Sequence, residues 1–200
     1  MSIKWRQVVK VTTTRFGELE VKKSDIIHFK EGLLGFENLK KFFIVDPGDQ
    51  TLILWFQSID DKSTAFPIIE PSIFCPSYSV KLLPPEFTSL ELENLSDASV
   101  YTILTIPKKV TEMSANLKAP IIINNKNKLA RQIVLQDSKL EVKYEMYSDL
   151  KKSIMSFDSD DSKRTTAKIT TDIRQNEEES KAPETPPQER LQKPGPYINH

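Results

Sequence analysis

The chain has 200 residues, 38% of them hydrophobic, and its 28 basic side chains balance 28 acidic ones. Neutrality gives no general pull toward nucleic acid or an anionic membrane, and a single cysteine, Cys75, allows no internal disulfide, which fits a reducing compartment. Apolar runs such as residues 52–56 fall far short of the ~20 residues of a membrane-spanning helix, and residues 1–10 lack the apolar centre of a signal peptide, so a soluble cytoplasmic protein is expected.

In chain order, the first clear element is Glu18-Leu19-Glu20-Val21-Lys22, whose period of two predicts a strand with one buried face. Gly32 and Gly35 suit a tight turn, and a short helical turn is expected over residues 37–41. Pro47-Gly48-Asp49 breaks the chain before residues 52–56, whose continuous apolar character fits a strand covered on both sides. Pro84-Pro85 reads as another turn. A second helical turn is expected over residues 95–99, begun by Ser96-Asp97. Continuous apolar strands are expected at residues 100–106 and 121–123, separated by Pro107-Lys108-Lys109 and followed by Asn124-Asn125. Residues 140–146 again alternate and predict a half-buried strand. Short strands at this spacing define a mainly all-β domain, a sandwich or small barrel.

Composition shifts near Leu150. From residue 156 onward the chain holds five of its thirteen prolines and two aromatics, Phe157 and Tyr197. Such a segment buries too little apolar surface to offset its ordering entropy. The chain therefore divides into an N-terminal extension, residues 1–10, a folded β-domain, residues 11–150, and a Pro- and charge-rich tail, residues 151–200, expected to be disordered.

The sequence argues against an enzyme. One cysteine and two histidines, His28 and His200, do not supply a four-ligand zinc site. Cys75 lies in Ile73-Phe74-Cys75-Pro76 and reads as a small buried hydrophobe; His28, between Ile27 and Phe29, reads as a core or surface residue. With five glycines there is no phosphate-cradling motif. Gly32-Leu33-Leu34-Gly35 has the bare spacing of a loop that clamps nucleic-acid backbone, but its middle residues are leucines. Asp60-Asp61-Lys62 reads as a solvated turn. Eight basic residues (Lys108, Lys109, Lys118, Lys126, Lys128, Arg131, Lys139 and Lys143) outnumber the acidic ones between positions 108 and 143. They lack interleaved aromatics, so direct nucleic-acid binding is not expected. No cofactor or metal is expected.

Four stretches matter together. They are Thr14-Arg15-Phe16-Gly17-Glu18 with residues 25–37, then Leu54-Trp55-Phe56-Gln57-Ser58, then Ala65-Phe66-Pro67-Ile68-Ile69-Glu70-Pro71 with Tyr78, and last Ser114-Ala115-Asn116-Leu117-Lys118-Ala119-Pro120-Ile121-Ile122-Ile123-Asn124 with Arg131-Gln132-Ile133-Val134-Leu135. In this order, over roughly residues 10–147, they resemble the FliW family of flagellar assembly factors. Lys30 stands where that family usually has proline, Glu70 where aspartate is common, and Phe56 and Ser114 replace a leucine and a threonine.

A monomer is expected when free, since the β-domain shows no additional apolar stripe for self-association. The resemblance implies a β-barrel-like domain without active site or cofactor, and two protein partners. One is flagellin. The other is CsrA, a translational repressor whose hold on flagellin mRNA is relieved when flagellin export frees the assembly factor. The alternative is a flagellin-specific chaperone that does not act on CsrA. Phe16, Phe29, Phe36, Trp55, Phe66 and Tyr78 are expected to supply core. Asn116 either caps a turn or presents its amide to a partner. Pro120 begins a strand whose open edge could accept a partner segment. The expected partner-binding residues are Asn116, Leu117, Lys118, Pro120 and Asn124, with Gln57 and Tyr78.

Overall fold

The computed structural model describes residues 7–48 and 52–160, with side chains described up to residue 155. The chain opens with a hairpin of strands β1 (Val8–Thr13) and β2 (Gly17–Lys22), paired from Val8 opposite Lys22 to Thr13 opposite Gly17. Strand β1 thus begins inside the segment expected to be an extension. Val9 extends the alternation of Val11 and Thr13 on the covered face, and the backbone pairs back to Val8.

The following strands are β3 (Ile27–Phe29), β4 (Lys41–Val45), β5 (Leu54–Ser58), β6 (Ala65–Ile69), β7 (Ala98–Thr105), β8 (Ser114–Ala115), β9 (Ile121–Asn124), β10 (Leu129–Gln132) and β11 (Tyr144–Glu145). Seven of them pair in the order β7-β6-β5-β4-β3-β10-β9, and β9 pairs back onto β7, closing a barrel. All barrel pairs are antiparallel except β3 with β10. The end of β7 leaves the barrel to pair with β8, which carries β11. Closure removes the free edges that invite aggregation.

Continuous apolar strands occur here because the barrel is covered on both sides. Inside it, Phe42 and Phe56 stack at 4.7 Å and Phe29 meets both edge-on, surrounded by Ile27, Ile68, Ile121 and Ile123. Outside, three local segments cover the wall. The β1–β2 hairpin packs Val11 and Val21 with Phe43. Helix α1 (Pro84–Leu90) brings Leu90 to Ile122, Ile133 and Leu135. The β8/β11 flap and helix α2 (Tyr147–Asp160) gather Met113, Leu117, Met146 and Leu150 against Ile69 and Leu104. Strand β9 shows the logic in one run: Ile121 and Ile123 face the barrel interior while Ile122 faces α1.

Several sequence expectations change. Pro84-Pro85 starts α1 rather than a turn, because proline at the first helical positions removes an N–H that has no partner anyway. Residues 37–41 form no helix; Glu37 and Asn38 turn and β4 begins at Lys41. The turn at Leu95–Asp97 is a 3-10 helix, but no side chain caps it. The strand expected over residues 140–146 shrinks to Tyr144–Glu145, and Val142 is 67% exposed. Helix α2 crosses the boundary placed at Leu150. Disorder expected beyond residue 160 concerns residues outside those described. Cys75 is half-buried rather than buried, packed at the rim of the flap cluster.

Candidate partner-binding surface

The turn that joins β8 to β9 is built from Asn116. Its Oδ1 accepts the Ala119 N–H at 3.0 Å, its N–H reaches the Ile103 carbonyl, and its carbonyl accepts the Thr102 hydroxyl at 2.6 Å. Asn116 therefore caps the turn, one of its two expected uses. Leu117 is buried beneath the turn, and its carbonyl accepts the Tyr78 hydroxyl at 2.9 Å. Burial pushes the Tyr78 phenol above its ordinary pKa, so it stays a donor. Lys118 is half-exposed; its Nζ donates to the Asp137 carbonyl at 2.7 Å and its N–H to the Glu141 carbonyl.

Past the turn the chain runs beside the continuation of β10. Ile133 N–H donates to the Pro120 carbonyl and Leu135 N–H to the Lys118 carbonyl. Ile133 and Leu135 are buried, so Gln132 and Val134 share the opposite side. Gln132 links two loops: its Nε2 donates to the Ala119 carbonyl at 3.0 Å and its Oε1 accepts the Leu34 N–H at 3.0 Å. Leu34 sits at the tip of the Gly32–Gly35 turn. That turn buries Leu33 in the barrel but leaves Leu34 56% exposed, and Val134 is 46% exposed. The turn itself is fixed by Glu37, whose Oε1 accepts the Gly35 N–H at 2.8 Å; this bond holds the carboxyl below its ordinary pKa.

The remaining predicted contact residues have structural roles. Pro120 is buried, and the strand it introduces is not an edge: β9 pairs with β10 on one side and β7 on the other, so β-augmentation there is excluded. Asn124 is buried, with Nδ2 donating to the Leu90 and Glu91 carbonyls at the end of α1. Gln57 is fully buried on β5; its Nε2 faces the carbonyls of Ser58, Asp61, Lys62 and Thr64 at 3.0–3.5 Å, while its Oε1 has no hydrogen-bond partner among the described residues. Leu117, Pro120, Asn124 and Gln57 are thus corrected from partner contacts to framework residues, because the strand pairing and packing around them leave their side chains buried. Asn116, Lys118 and Tyr78 lie together; Asn124 belongs to the α1 face and Gln57 to the loop joining β5 and β6.

Three of the expected core aromatics are also relocated. Phe36 is at the rim, 4.9 Å from Phe66 in an edge-on contact. Phe16 and Trp55 meet edge-on outside the barrel, with the Arg15 guanidinium 3.6 Å from the Trp55 ring. Period two carries the signal: Phe56 faces the interior, so Trp55 must face out. Asp60 likewise is more than a solvated turn residue, since one carboxylate oxygen accepts the N–H groups of both Lys40 and Lys41. Of the eight basic residues, Lys109, Lys126 and Arg131 pair with Glu112, Asp97 and Glu31.

A cleft lined by Phe29, Gly32, Ser89 and Arg131 holds about 20 Å³, far below the ~300 Å³ or more of small-molecule sites. Among the described residues no group of three or more His, Cys, Asp or Glu could hold a metal ion, and no helix is long and apolar enough to cross a membrane. The class is a small closed β-barrel, filled with its own side chains, whose distinctive groups are anchors of surface turns.

The model of the FliW protein family matches residues 10–146. The chain is 38% identical over 145 residues to the flagellar assembly factor FliW of Bdellovibrio bacteriovorus, covering 72% of this chain and 83% of that protein. It is 40% identical over 138 residues to the FliW of Syntrophus aciditrophicus, covering 69% and 87%. A crystal structure of the flagellar assembly factor FliW superposes with a TM-score of 0.66 at 29% identity, over 70% of this chain and 97% of that one. The chain belongs to the FliW family of flagellar assembly factors.

Proposed function

We propose that this protein is a non-enzymatic cytoplasmic regulator that binds flagellin and CsrA in competition. The observation that carries this reading is the family match over residues 10–146, which spans the whole barrel from within β1 to β11. Flagellin occupies the protein while it accumulates; export of flagellin frees the protein to bind CsrA and relieve repression of flagellin mRNA. The coupling needs only mass action between two complexes, with the protein monomeric when free.

The contact region we favour is the turn carrying Asn116 and Lys118 together with Leu34 and Val134. Two exposed apolar side chains beside one cation, on loops clamped by Gln132, form a pre-organised patch of the kind proteins bind. The test is size-exclusion chromatography with light scattering on the protein alone and mixed with CsrA or monomeric flagellin. Complexes with both, and displacement of CsrA by flagellin, are expected. Binding of flagellin alone would make the protein a flagellin chaperone; binding of neither would overturn the proposal. Leu34→Asp and Lys118→Glu, if folded, should weaken at least one complex; unchanged affinity in both would move the contact elsewhere.

A further inference from the structure

We propose that Arg15, seated on Trp55, is an anchor that takes a carboxylate from an acidic segment of a protein partner; the inference rests on the partner-binding reading above. Arg15 lies in the turn between β1 and β2 and its side chain is exposed. The turn is rigid: Thr13 Oγ1 accepts the Phe16 N–H at 2.9 Å and donates to the Gly17 carbonyl at 3.0 Å, and the Thr14 N–H donates to the Lys62 carbonyl. The guanidinium carbon stands 3.6 Å from the centre of the Trp55 ring, and the Phe16 ring closes the cluster at 5.9 Å from Trp55.

Stacking occupies one face of the guanidinium and leaves its edge, where the N–H donors lie. Among the described residues Arg15 makes no hydrogen bond and no ion pair, although Glu18 and Glu20 lie on the same hairpin. By contrast Arg131, on β10 and the other arginine among the described residues, is bonded to Glu31 and Ser89. A planar fork fixed by an aromatic platform, with its donors unspent, matches the two oxygens of a carboxylate. Fixing it beforehand lowers the ordering cost of binding. Arginine and tryptophan side by side are also the residue types that most often dominate protein interfaces.

A structural reading of the same contact is that Arg15 staples the hairpin to β5, so the test separates the two. Arg15→Met keeps an unbranched stem over the indole and removes the charge; Arg15→Lys keeps the charge and removes the planar fork. Binding of each full-length variant to purified flagellin and to CsrA is measured by calorimetry, beside thermal unfolding of the free protein. The expected result is that Arg15→Met unfolds at the wild-type temperature yet loses about tenfold or more in affinity for at least one partner, that Arg15→Lys recovers only part of the loss, and that wild-type binding to that partner weakens more with salt than the Met variant's. If both variants bind both partners as the wild type does, or if affinity falls only in step with unfolding, Arg15 is a staple and the inference is overturned. Should the wild type bind neither protein, the partner reading fails and takes this inference with it.

Discussion

The amide nitrogen of Asn124, on β9, lies 2.9 Å from the carbonyl of Leu90 and 3.0 Å from that of Glu91, 34 and 33 residues earlier in the chain. One buried side chain thus satisfies the last carbonyls of α1, while its oxygen accepts the Lys126 N–H at 2.9 Å and shapes the turn after β9. Glu91 holds a left-handed conformation, φ 54°, to end the helix at that point. Asn124→Ala removes three hydrogen bonds and strands two carbonyls beneath α1. It should cost about 2 kcal/mol or more in urea unfolding while leaving the partners' affinities for the folded protein unchanged. A variant of wild-type stability would show that α1 does not depend on this cap.

Gln57 offers a sharper electrostatic test. Its Nε2 is ringed by four backbone carbonyls of the turn between β5 and β6, and the Thr14 N–H bonds to one of them, Lys62. Gln57→Glu is nearly isosteric but replaces the donor with an oxygen facing other oxygens. The expected cost is about 3 kcal/mol or more at neutral pH, shrinking at acid pH where the carboxyl is protonated and donates again. Denaturation at two pH values decides it; a loss independent of pH would point to packing instead.

Which elements the sequence displays follows from where the forces act. Period-two and continuous apolar runs located β2, β5, β7 and β9, because burial on one or both faces is written locally in side-chain order. The family resemblance supplied the barrel. Closure of β9 onto β7 is not legible, since pairing between distant strands leaves no local mark, and Pro120 therefore looks like an edge residue in the sequence alone. Nothing local to Asn124 or Gln57 marks either polar side chain as buried. Their carbonyl partners lie in α1 and in the turn after β5, and only the fold brings them together. Residues 140–146 alternate well but pair over two residues only, because β8, their partner strand, is itself two residues long.

Two glycines separate conformational strain from crowding. Gly17 has φ +70° with nothing within 4 Å of an added Cβ, whereas at Gly32, φ +83°, that Cβ would lie 2.7 Å from the Glu37 Cα. Gly17→Ala should therefore cost about 1 kcal/mol, the left-handed penalty alone. Gly32→Ala adds a clash with backbone, and the turn holding Leu34 must shift. Thermal unfolding should rank Gly32→Ala well below Gly17→Ala. Equal losses would mean that the Gly32 turn yields freely.

The last prediction concerns the start of α2. Tyr144, on β11, donates its hydroxyl to Asp149 Oδ2 at 2.5 Å, and Lys152 holds the other oxygen at 3.0 Å. The bond to Asp149 is the main reason the Tyr144 phenol is pushed up to about 12, and the same bond, followed by that to Lys152, holds the Asp149 carboxyl below its ordinary range. The signs differ. A lowered carboxyl stabilises the fold above its unfolded pKa of about 4 and stops doing so as pH falls through the lower folded value. A raised phenol stabilises below its unfolded value of about 10 and loses that contribution as pH rises toward about 12. Tyr144→Phe should cost about 1 kcal/mol at neutral pH, modest because Asp149 is partly exposed. The gap between wild type and variant in thermal unfolding should close at both the acid and the alkaline end, with protection of α2 in hydrogen exchange falling in parallel. A gap that stays constant from strongly acid to strongly alkaline pH would show that Tyr144 anchors the helix through its ring rather than its hydroxyl.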